Sequence, residues 1–388
     1  MTAGSSKLPA PDAAARTHSA RVVEHLREAM AAAGGAIPFA RFMELALYAP
    51  GLGYYSAGAV KLGAAGDFVT APEISPLFGR CLARALAPVL SSLDDPVVLE
   101  PGAGSGALAA VMLDEWAALG VAPSRYLILE TSAGLRRWQQ ANLAGRGAVE
   151  WIDTLPEDFV GVVVANEVLD AMPVTRFVCE GGTVHELGVA PDGEGFRWVR
   201  LPAPEALVQR VAAIESLLGA PLPDGYTSEV NFAAEAWVAT VARHLARGCL
   251  LLVDYGFPRR EFYHPQRSQG TLMCHYRHRA HGDPFFFPGL QDITAHVDFT
   301  AVVEAAAGAG LHLDGYTHQA GFLLDAGITA LAAQVNPADV HAQMETAAQL
   351  RRLTLPQEMG ELFKVVSLSR GLDTGPRGFG LRDLGGAL

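Results

Sequence analysis

The chain has 388 residues, of which 50% are hydrophobic and 18% are charged, and its formal net charge at pH 7 is −12. This composition is typical of a folded protein, and the length allows one large core or two modest ones. The negative charge disfavours binding to nucleic acid or to an anionic membrane surface, so we expect a neutral or cationic partner and no nucleic-acid ligand.

The first 95 residues are predicted to form a cap of helices and loops. Apolar residues recur at helical spacing from residue 17 to residue 33, where two glycines end the pattern, and again from 39 to 47. The stretch from 51 to 79 is rich in glycine and aromatic residues, which predicts an ordered loop region that leads into another helix.

Residues 96–172 are predicted to form the first half of a Rossmann-like α/β core. Strands are predicted at 97–100, 126–130, 149–152 and 161–167, and helices at 106–119 and 132–143. The strands are continuous apolar runs, which is typical of parallel strands with both faces buried by helices.

The pattern changes between residues 173 and 230. The pairs Gly181-Gly182 and Asp192-Gly193 are hairpin turn signals, and a helical pattern follows near 205–218, so we predict an inserted α+β segment. The second half of the core is predicted over 231–370, with a helix at 232–246, strands at 249–257 and 362–370, a polar loop, and a helix after Asp298. The glycine-rich tail, residues 371–388, is expected to be loose.

The segment VVLEPGAGSG, residues 97–106, joins the first core strand to a helix through a glycine turn. Gly102, Gly104 and Gly106 let a ligand approach the backbone, and open α/β sheets bind ligands at such strand ends. The turn also satisfies the G-x-G-x-x-A dinucleotide fingerprint. Glu100 would repel a diphosphate, whereas it favours S-adenosyl-L-methionine, which carries an ammonium and a sulfonium but no phosphate.

Glu130 ends the second predicted strand. A carboxylate at this place can accept both ribose hydroxyls of a nucleoside, which fits S-adenosyl-L-methionine and NAD equally. The alternative is that Glu100 and Glu130 are solvated charges at strand ends. Thr131, Ile152 and Asp153 complete this part of the predicted cofactor site.

Several longer segments carry a family resemblance. They are EPGAGSG (100–106), GDFVTAPEISPLFG (66–79), ANEVLDAMPV (165–174), VDYGF (253–257) and DITAHVDFT (292–300). Together they resemble the MidA-like class I methyltransferases, the family of the mitochondrial complex I assembly arginine methyltransferase, over about residues 37–370. The resemblance implies a seven-stranded, mostly parallel sheet with a large insertion, S-adenosyl-L-methionine as cofactor, and an arginine of a protein such as a respiratory complex I subunit as acceptor.

An arginine acceptor stays protonated near neutral pH and is held best by paired carboxylates. Glu167 and Asp170 follow the fourth predicted strand, and we expect Glu167 first, and Asp170 second, to steer the acceptor nitrogen. Asp170 could instead cap the following turn. Asn166 is predicted to contact the methionine part of the cofactor through its amide.

Two further segments supply candidate site residues. Thr70 and Glu73 lie in a loop that can fold over the cofactor, and Glu73 either joins the acceptor carboxylates or is favoured because it begins a helix. His296 could accept a proton with help from Asp298, but we favour the alternative that Asp298 is the N-cap of the next helix.

A metal ion is not expected. Cys274, His275, His278 and His281 recur near three-residue steps, but two arginines lie between them and the spacing matches no zinc pattern. We interpret this segment as a basic surface loop near the substrate entrance.

The cysteines and the ends of the chain bear on location. Cys81, Cys179, Cys249 and Cys274 lack C-x-x-C spacing and lie mostly in apolar runs, which predicts reduced packing residues. The opening residues lack the apolar stretch of a secretion signal, and no run reaches the ~18 apolar residues of a membrane span. We therefore expect a cytoplasmic protein without membrane insertion.

Taken together, these observations predict an S-adenosyl-L-methionine-dependent methyltransferase that acts on a protein, on arginine in particular. A cofactor-binding assembly factor without turnover and a methyltransferase for a small molecule are the alternatives. An NAD-dependent oxidoreductase is disfavoured by Glu100. An oligomer is compatible with the sequence.

Overall fold

The computed structural model of the chain describes residues 8–57 and 70–388, so the first four residues of GDFVTAPEISPLFG lie outside the described residues. The chain divides into two compact units. The first contains residues 8–57, 171–232 and 263–295, and the second contains residues 70–170, 233–262 and 296–388. Within the described part of the chain, no helix combines the length and apolar character needed to cross a membrane.

The second unit is built on a sheet whose continuous path has seven strands. In chain order its strands are β1 (Val97–Pro101), β2 (Arg125–Leu129), β3 (Val149–Ile152), β4 (Phe159–Asn166), β5 (Leu245–Phe257), β6 (His312–His318) and β7 (Phe363–Arg370). Their spatial order is β3-β2-β1-β4-β5-β7-β6, and on this path β7 alone runs in the direction opposite to the other strands. An eighth strand of two residues, Val297–Asp298, pairs in parallel with the end of β5. The predicted mostly parallel sheet is confirmed, and its short eighth strand was not predicted.

The order of the strands decides where a ligand can bind. The chain steps outward from β1 to β2 and β3 and then returns to β4 on the other side of β1. The carboxyl ends of β1 and β4 therefore lie beside each other at the point where the strand order reverses, and open α/β sheets bind ligands at this point. All five residues of β1 are buried, in agreement with the continuous apolar run in the sequence.

The helices of the second unit lie largely where the sequence predicts them. They are α1 (Pro76–Ser91), α2 (Ala107–Leu119), α3 (Ala133–Asn142), α4 (Phe232–His244) and α5 (Phe299–Gly308). Shorter or unpredicted helices span Ala71–Ile74, Arg259–Phe262, Gln319–Asp325, Ile328–Ala332 and Val340–Thr354. Caps explain two of the starts, since Ser75 accepts from the Leu77 amide at 3.2 Å and Ser132 accepts from the Leu135 amide at 3.4 Å.

Two features near the C-terminus differ from expectation. The sequence did not predict β6, which fills the outer edge of the sheet beside β7. The tail was expected to be loose, and this prediction is wrong. Asp383 accepts from the Tyr316 amide at 3.0 Å, the Leu384 amide donates to the Tyr316 carbonyl at 2.6 Å, and the Phe379 ring packs edge-on against Phe322. The tail is held because it satisfies backbone groups of the edge strand.

The first unit contains the predicted insertion, and its antiparallel character is confirmed. Its larger sheet comprises strands Ile37–Pro38, Thr175–Glu180, Thr183–Asp192, Gly195–Pro202 and Tyr226–Val230, the last of which was not predicted. Its helices are Ala13–Ala32, Phe39–Tyr48 and Glu205–Leu218. A smaller sheet of Met273–Tyr276, Arg279–His281 and Asp292–Thr294 replaces the expected polar loop with a hairpin.

Candidate functional site

The glycine turn follows β1 at the switch point of the sheet. Gly102, Gly104 and Gly106 have φ angles of +63°, +55° and +82°. These are left-handed conformations that side chains with a Cβ rarely adopt, so the sequence needs glycine here. The Gly102 amide donates to the Leu129 carbonyl at 3.0 Å and thereby ties the turn to the end of β2. The turn leads directly into the N-terminus of α2, where helix amides without intrahelical partners can bind a ligand.

Glu100 lies at the end of β1 and is only 3% exposed. Its Oε2 accepts a hydrogen bond of 2.6 Å from the Tyr126 hydroxyl. Burial raises the pKa of the Glu100 carboxyl to about 7, and the charge of Glu130 adds to this effect while the Tyr126 hydrogen bond opposes it. The interpretation as a solvated charge is wrong for Glu100. A cation placed beside it would favour its ionised form.

Glu130 is also buried, directly after β2. Its Oε1 accepts from the Ser132 amide at 2.8 Å, and its Oε2 accepts from Gln139 Nε2 at 2.9 Å. Burial raises the pKa of Glu130, and these donors act in the opposite direction. Glu130 is therefore not a solvated strand-end charge either. Gln139 was not predicted from the sequence, because a glutamine in a polar helix is ordinarily a surface residue.

The other predicted cofactor residues, Thr131, Ile152, Asp153 and Thr70, make no contact with another described residue that assigns them a role in cofactor binding. Thr131 is exposed, and Asp153 is exposed and ion-paired with Arg136 at 2.7 Å. The Ile152 carbonyl accepts from the same guanidinium at 3.2 Å. Thr70 precedes the short helix Ala71–Ile74. Cofactor contacts by these four residues stay predictions.

Glu73 lies against the glycine turn. Its Oε1 accepts a hydrogen bond from the Ser105 hydroxyl, and Ser105 Oγ also accepts from the Ala107 amide at 3.2 Å. Glu73 lies in the first turn of the helix Ala71–Ile74, as the helix-terminus interpretation predicted. The contact with Ser105 connects Glu73 to the glycine turn, and a role of Glu73 among the acceptor carboxylates, the other alternative from the sequence, stays a prediction.

Asn166 and Glu167 come at the end of β4, next to the glycine turn in the strand order. Glu167 has a φ of +54°, and its amide donates to the Val253 carbonyl at 2.9 Å. A left-handed glutamate is uncommon, and such conformations cluster at functional sites. Asn166 Nδ2 donates to Glu167 Oε1 at 3.1 Å, and Asn166 Oδ1 is buried with no hydrogen-bond partner among residues 8–57 and 70–388.

Asp254, near the end of β5, was not among the predicted site residues. It is 1% exposed, and its Oδ2 accepts from the amides of Leu169 and Asp170 at 3.0 and 3.3 Å. Burial raises the pKa of Asp254 well above its usual value, and the charges of Asp170 and Glu167 raise it further. The structure thus brings together three carboxylates, Glu167, Asp170 and Asp254. The signal was present in the sequence, because Asp254 follows a long buried run just as Glu100 does.

His296 lies among aromatic rings at the end of β5. Its ring centroid is 5.1 Å from that of Tyr255 and 5.3 Å from that of Phe257, to which it is nearly parallel. Asp298 accepts from the Ala301 amide at 3.2 Å as the N-cap of α5 and from Arg259 Nε at 2.9 Å. The favoured N-cap interpretation is therefore confirmed, and a proton-accepting role of His296 stays a prediction.

The cysteine and histidine segment of the first unit forms a hairpin and not an open loop. Arg277 and His278 have φ angles of +48° and +59°, which places both in the left-handed region, as in a two-residue hairpin turn. Cys274 is fully buried in a hydrophobic cluster and its thiol is free. Burial raises the pKa of that thiol, so Cys274 is a packing residue.

Comparison with known proteins identifies the family. The family model described as "Putative S-adenosyl-L-methionine-dependent methyltransferase" matches residues 81–317, which is more than half of the chain. The chain belongs to this methyltransferase family. The match includes the glycine turn, Glu130, Glu167 and Asp254. The sequence-based prediction of the enzyme class and of its cofactor is thereby confirmed.

Relatives of this methyltransferase extend the comparison. A crystal structure from Burkholderia thailandensis with S-adenosyl-homocysteine bound is 48% identical, with a TM-score of 0.94 over 98% of this chain and 100% of that one. The curated "Protein arginine methyltransferase NDUFAF7 homolog, mitochondrial" of Drosophila melanogaster is 29% identical over 87% of this chain and 82% of its own length. The protein arginine methyltransferase NDUFAF7 of Danio rerio is also 29% identical, over 89% and 86%.

The residues of the methyltransferase site fit the chemical groups of S-adenosyl-L-methionine. The buried Glu100 carboxyl suits a cationic ligand, and Glu130 has neutral donors on both oxygens and acceptor capacity left for a ribose hydroxyl. The buried Asn166 Oδ1 can accept from an ammonium group. The left-handed glycines let the chain turn sharply between β1 and α2, which keeps the turn beside Glu100.

Proposed function

We propose that this methyltransferase transfers the methyl group of S-adenosyl-L-methionine to an arginine side chain of a protein partner. The observation that carries the proposal is the cluster of Glu167, Asp170 and Asp254 at the ends of the neighbouring strands β4 and β5. A guanidinium is the side chain that such carboxylates bind best, because it offers five donors in a fixed plane and stays charged. The curated relatives named above carry the same activity in their names.

The cofactor residues bind and orient S-adenosyl-L-methionine. When bound, S-adenosyl-L-methionine supplies a methyl group activated by a cationic sulfur. Glu100 compensates positive charge, Glu130 accepts from the ribose, and Asn166 accepts from the ammonium group. Methyl transfer is an in-line displacement, so its rate depends mainly on alignment of the acceptor nitrogen and on exclusion of water.

The acceptor residues have the task of aligning the guanidinium. Glu167 is the carboxylate we assign to this contact, with Asp170 beside it. Asp254 acts through them, because its carboxylate holds the backbone of Leu169 and Asp170 and so fixes the segment that carries both acids. The left-handed conformation of Glu167 sets the direction of its side chain at the end of β4.

The proposal is tested by measuring methyl transfer and cofactor affinity in the same variants. With purified protein, tritiated S-adenosyl-L-methionine and a cell lysate or arginine-containing peptides, we expect label in methylarginine after acid hydrolysis. Glu167→Gln should reduce this labelling at least about 100-fold, since it removes a charged contact made to the reacting group, and should change the Kd for S-adenosyl-homocysteine less than about threefold.

Glu150→Gln is the matched control, because Glu150 is an exposed glutamate on β3 whose ion pair with Arg125 spans 3.7 Å in solvent. It should leave labelling and affinity unchanged. Label confined to small molecules would replace our proposal with a small-molecule methyltransferase. Cofactor binding without label in any fraction would indicate an assembly factor without turnover.

The acceptor and the location remain to be tested. The MidA-like resemblance makes a respiratory complex I subunit the first acceptor to present to the enzyme, and incubation of that purified subunit with labelled cofactor is the direct test.

We also propose a cytoplasmic location, supported by the four free, buried cysteines. Fractionation of cells that express a tagged chain would contradict this proposal if the protein is recovered outside the cytoplasmic fraction.

A further inference from the structure

Gln139 is a fully buried polar residue on the inner face of α3, 0% exposed. Its Nε2 donates to the Gly104 carbonyl at 2.9 Å and to Glu130 Oε2 at 2.9 Å. Its Oε1 accepts from Trp151 Nε1 at 2.9 Å. One amide thus connects the glycine turn, the Glu130 carboxylate and β3. Burying an amide costs free energy unless it is hydrogen-bonded. A network in which all of these hydrogen bonds are made therefore favours one geometry of the side chain.

A second side-chain amide on the same face of α3, that of Asn142, contacts the glycine turn. Asn142 Nδ2 donates to the Ser105 carbonyl at 2.9 Å. Residues three apart in a helix share a face, so Gln139 and Asn142 hold consecutive carbonyls of the glycine turn. The structure records a contact with Glu130 for Gln139 and not for Asn142. Substitution of Asn142 therefore removes a contact with the glycine turn only, whereas substitution of Gln139 removes contacts with both the turn and Glu130.

We infer that Gln139 is a positioning residue that orients Glu130 toward the ribose and so sets the preference of the site for a ribonucleoside. The inference rests on the proposed cofactor site and deepens it. Glu130 is an acceptor-only group when ionised, with about four lone-pair directions on its two oxygens. The Ser132 amide and Gln139 Nε2 each use one of these directions, on different oxygens. The remaining acceptor directions are then fixed in space and available to ribose hydroxyls.

Trp151 determines which way the side-chain amide of Gln139 faces. The indole N–H is a donor only, so it requires the oxygen of Gln139 on its side and leaves the Nε2 hydrogens for Gly104 and Glu130. The amide therefore presents donors to the ribose-binding carboxylate and not an acceptor, which would repel it. Gln139 acts through Glu130 and touches no reacting atom.

The test compares adenosine with 2′,3′-dideoxyadenosine, which lacks both ribose hydroxyls. The wild-type protein should bind adenosine about tenfold or more tightly than the dideoxy compound, since a hydrogen bond to a carboxylate contributes on this scale. In Gln139→Leu this ratio should fall to about two or three, because the carboxylate loses its orientation. Asn142→Leu, the matched control, should keep the wild-type ratio even if both affinities fall.

Gln139→Glu supplies a second readout that a purely structural role would not move. At pH 8.5 two carboxylates face each other and the preference for adenosine should be lost. At pH 5.5 we expect the two carboxyl groups to share one proton in a hydrogen bond, so the preference should return toward the value of the wild-type protein at that pH. This variant also keeps the inference testable if Gln139→Leu fails to fold.

The outcomes separate this inference from the proposed function. An unchanged ratio in folded Gln139→Leu, or a ratio in Gln139→Glu that does not depend on pH, would overturn the role of Gln139 alone. A wild-type protein that does not prefer adenosine would overturn the ribose assignment of Glu130 together with this inference. A wild-type preference for adenosine without any arginine methylation would leave the inference standing and contradict only the proposed acceptor.

Discussion

Two groups of carboxylates lie at the carboxyl ends of the sheet strands, and they differ in their partners. Glu100 and Glu130 each accept a hydrogen bond from a neutral side chain, Tyr126 or Gln139. Asp254 accepts from backbone amides, and burial raises its pKa, which the charges of Asp170 and Glu167 raise further. The difference is one of ligand chemistry. Neutral donors orient a carboxylate for hydroxyl groups and for one cation, whereas crowded acids favour a ligand that brings positive charge and several donors.

The largest effect should appear when one acid is removed from each group. Asp254→Ala frees the amides of Leu169 and Asp170, and we expect kcat on an arginine acceptor to fall about 100-fold, because an acceptor displaced by about 1 Å loses alignment. The Kd for S-adenosyl-homocysteine should change less than about threefold.

Glu130→Ala should give the converse result. It removes the ribose acceptor, so we expect the Kd for S-adenosyl-homocysteine to rise about 30-fold while kcat at saturating cofactor is largely kept. Calorimetry and single-turnover kinetics measure the two quantities separately. If each variant changed affinity and kcat by the same factor, the division into a cofactor group and an acceptor group would be wrong.

An intermediate effect should follow from the pKa of Glu100, which burial raises to about 7. The ionised carboxylate attracts the cationic cofactor and the protonated form does not, so affinity for S-adenosyl-L-methionine should rise with pH up to about 7 and then level off. Below that pH it should fall by up to about tenfold per pH unit.

Neutral adenosine and the variant Glu100→Gln are the controls for this dependence. Since adenosine brings no positive charge to Glu100, titration calorimetry from pH 5.5 to 8.5 should give the same adenosine affinity for the wild-type protein and for Glu100→Gln at each pH. In Glu100→Gln the affinity for S-adenosyl-L-methionine should lose its fall below pH 7. An equally steep profile in this variant would mean that another group titrates and that Glu100 does not contact the cation.

The smallest effect should come from the removal of Glu73. The sequence alone does not assign this residue to the cofactor group or to the acceptor group. Its contact with Ser105 leads us to expect that Glu73→Ala weakens S-adenosyl-homocysteine about threefold and leaves kcat at saturating cofactor unchanged. Ser105→Ala should have the same effect, and the double variant should add nothing, because both remove one interaction. A loss of kcat in Glu73→Ala alone would place Glu73 in the acceptor group, which is one of the two alternatives from the sequence.

The parts of the site that follow local rules could be predicted from the sequence. Glu100, Glu130 and Glu167 each end or follow a continuous apolar run, and the carboxyl ends of parallel strands meet at one edge. Asp254 is less conspicuous in the sequence, because the buried strand Leu245–Phe257 continues for three residues beyond it. Gln139 could not be selected at all, because a glutamine in an amphipathic helix is ordinarily a surface residue.

The sequence by itself determined the core strands other than β6, the glycine turn and the acids beside it, because each depends on residues adjacent in the chain. Only the tertiary structure decided which groups hydrogen-bond to those acids and that residues 312–318 form the edge strand β6. Strand β6 contains Asp314, which is poor strand sequence, but its carboxylate accepts from the hydroxyls of Ser367 and Ser369 on β7 at 2.7 and 2.5 Å. Such pairs join residues more than 50 positions apart, and burial makes them decisive, since a polar group removed from water must find a partner that local sequence cannot supply.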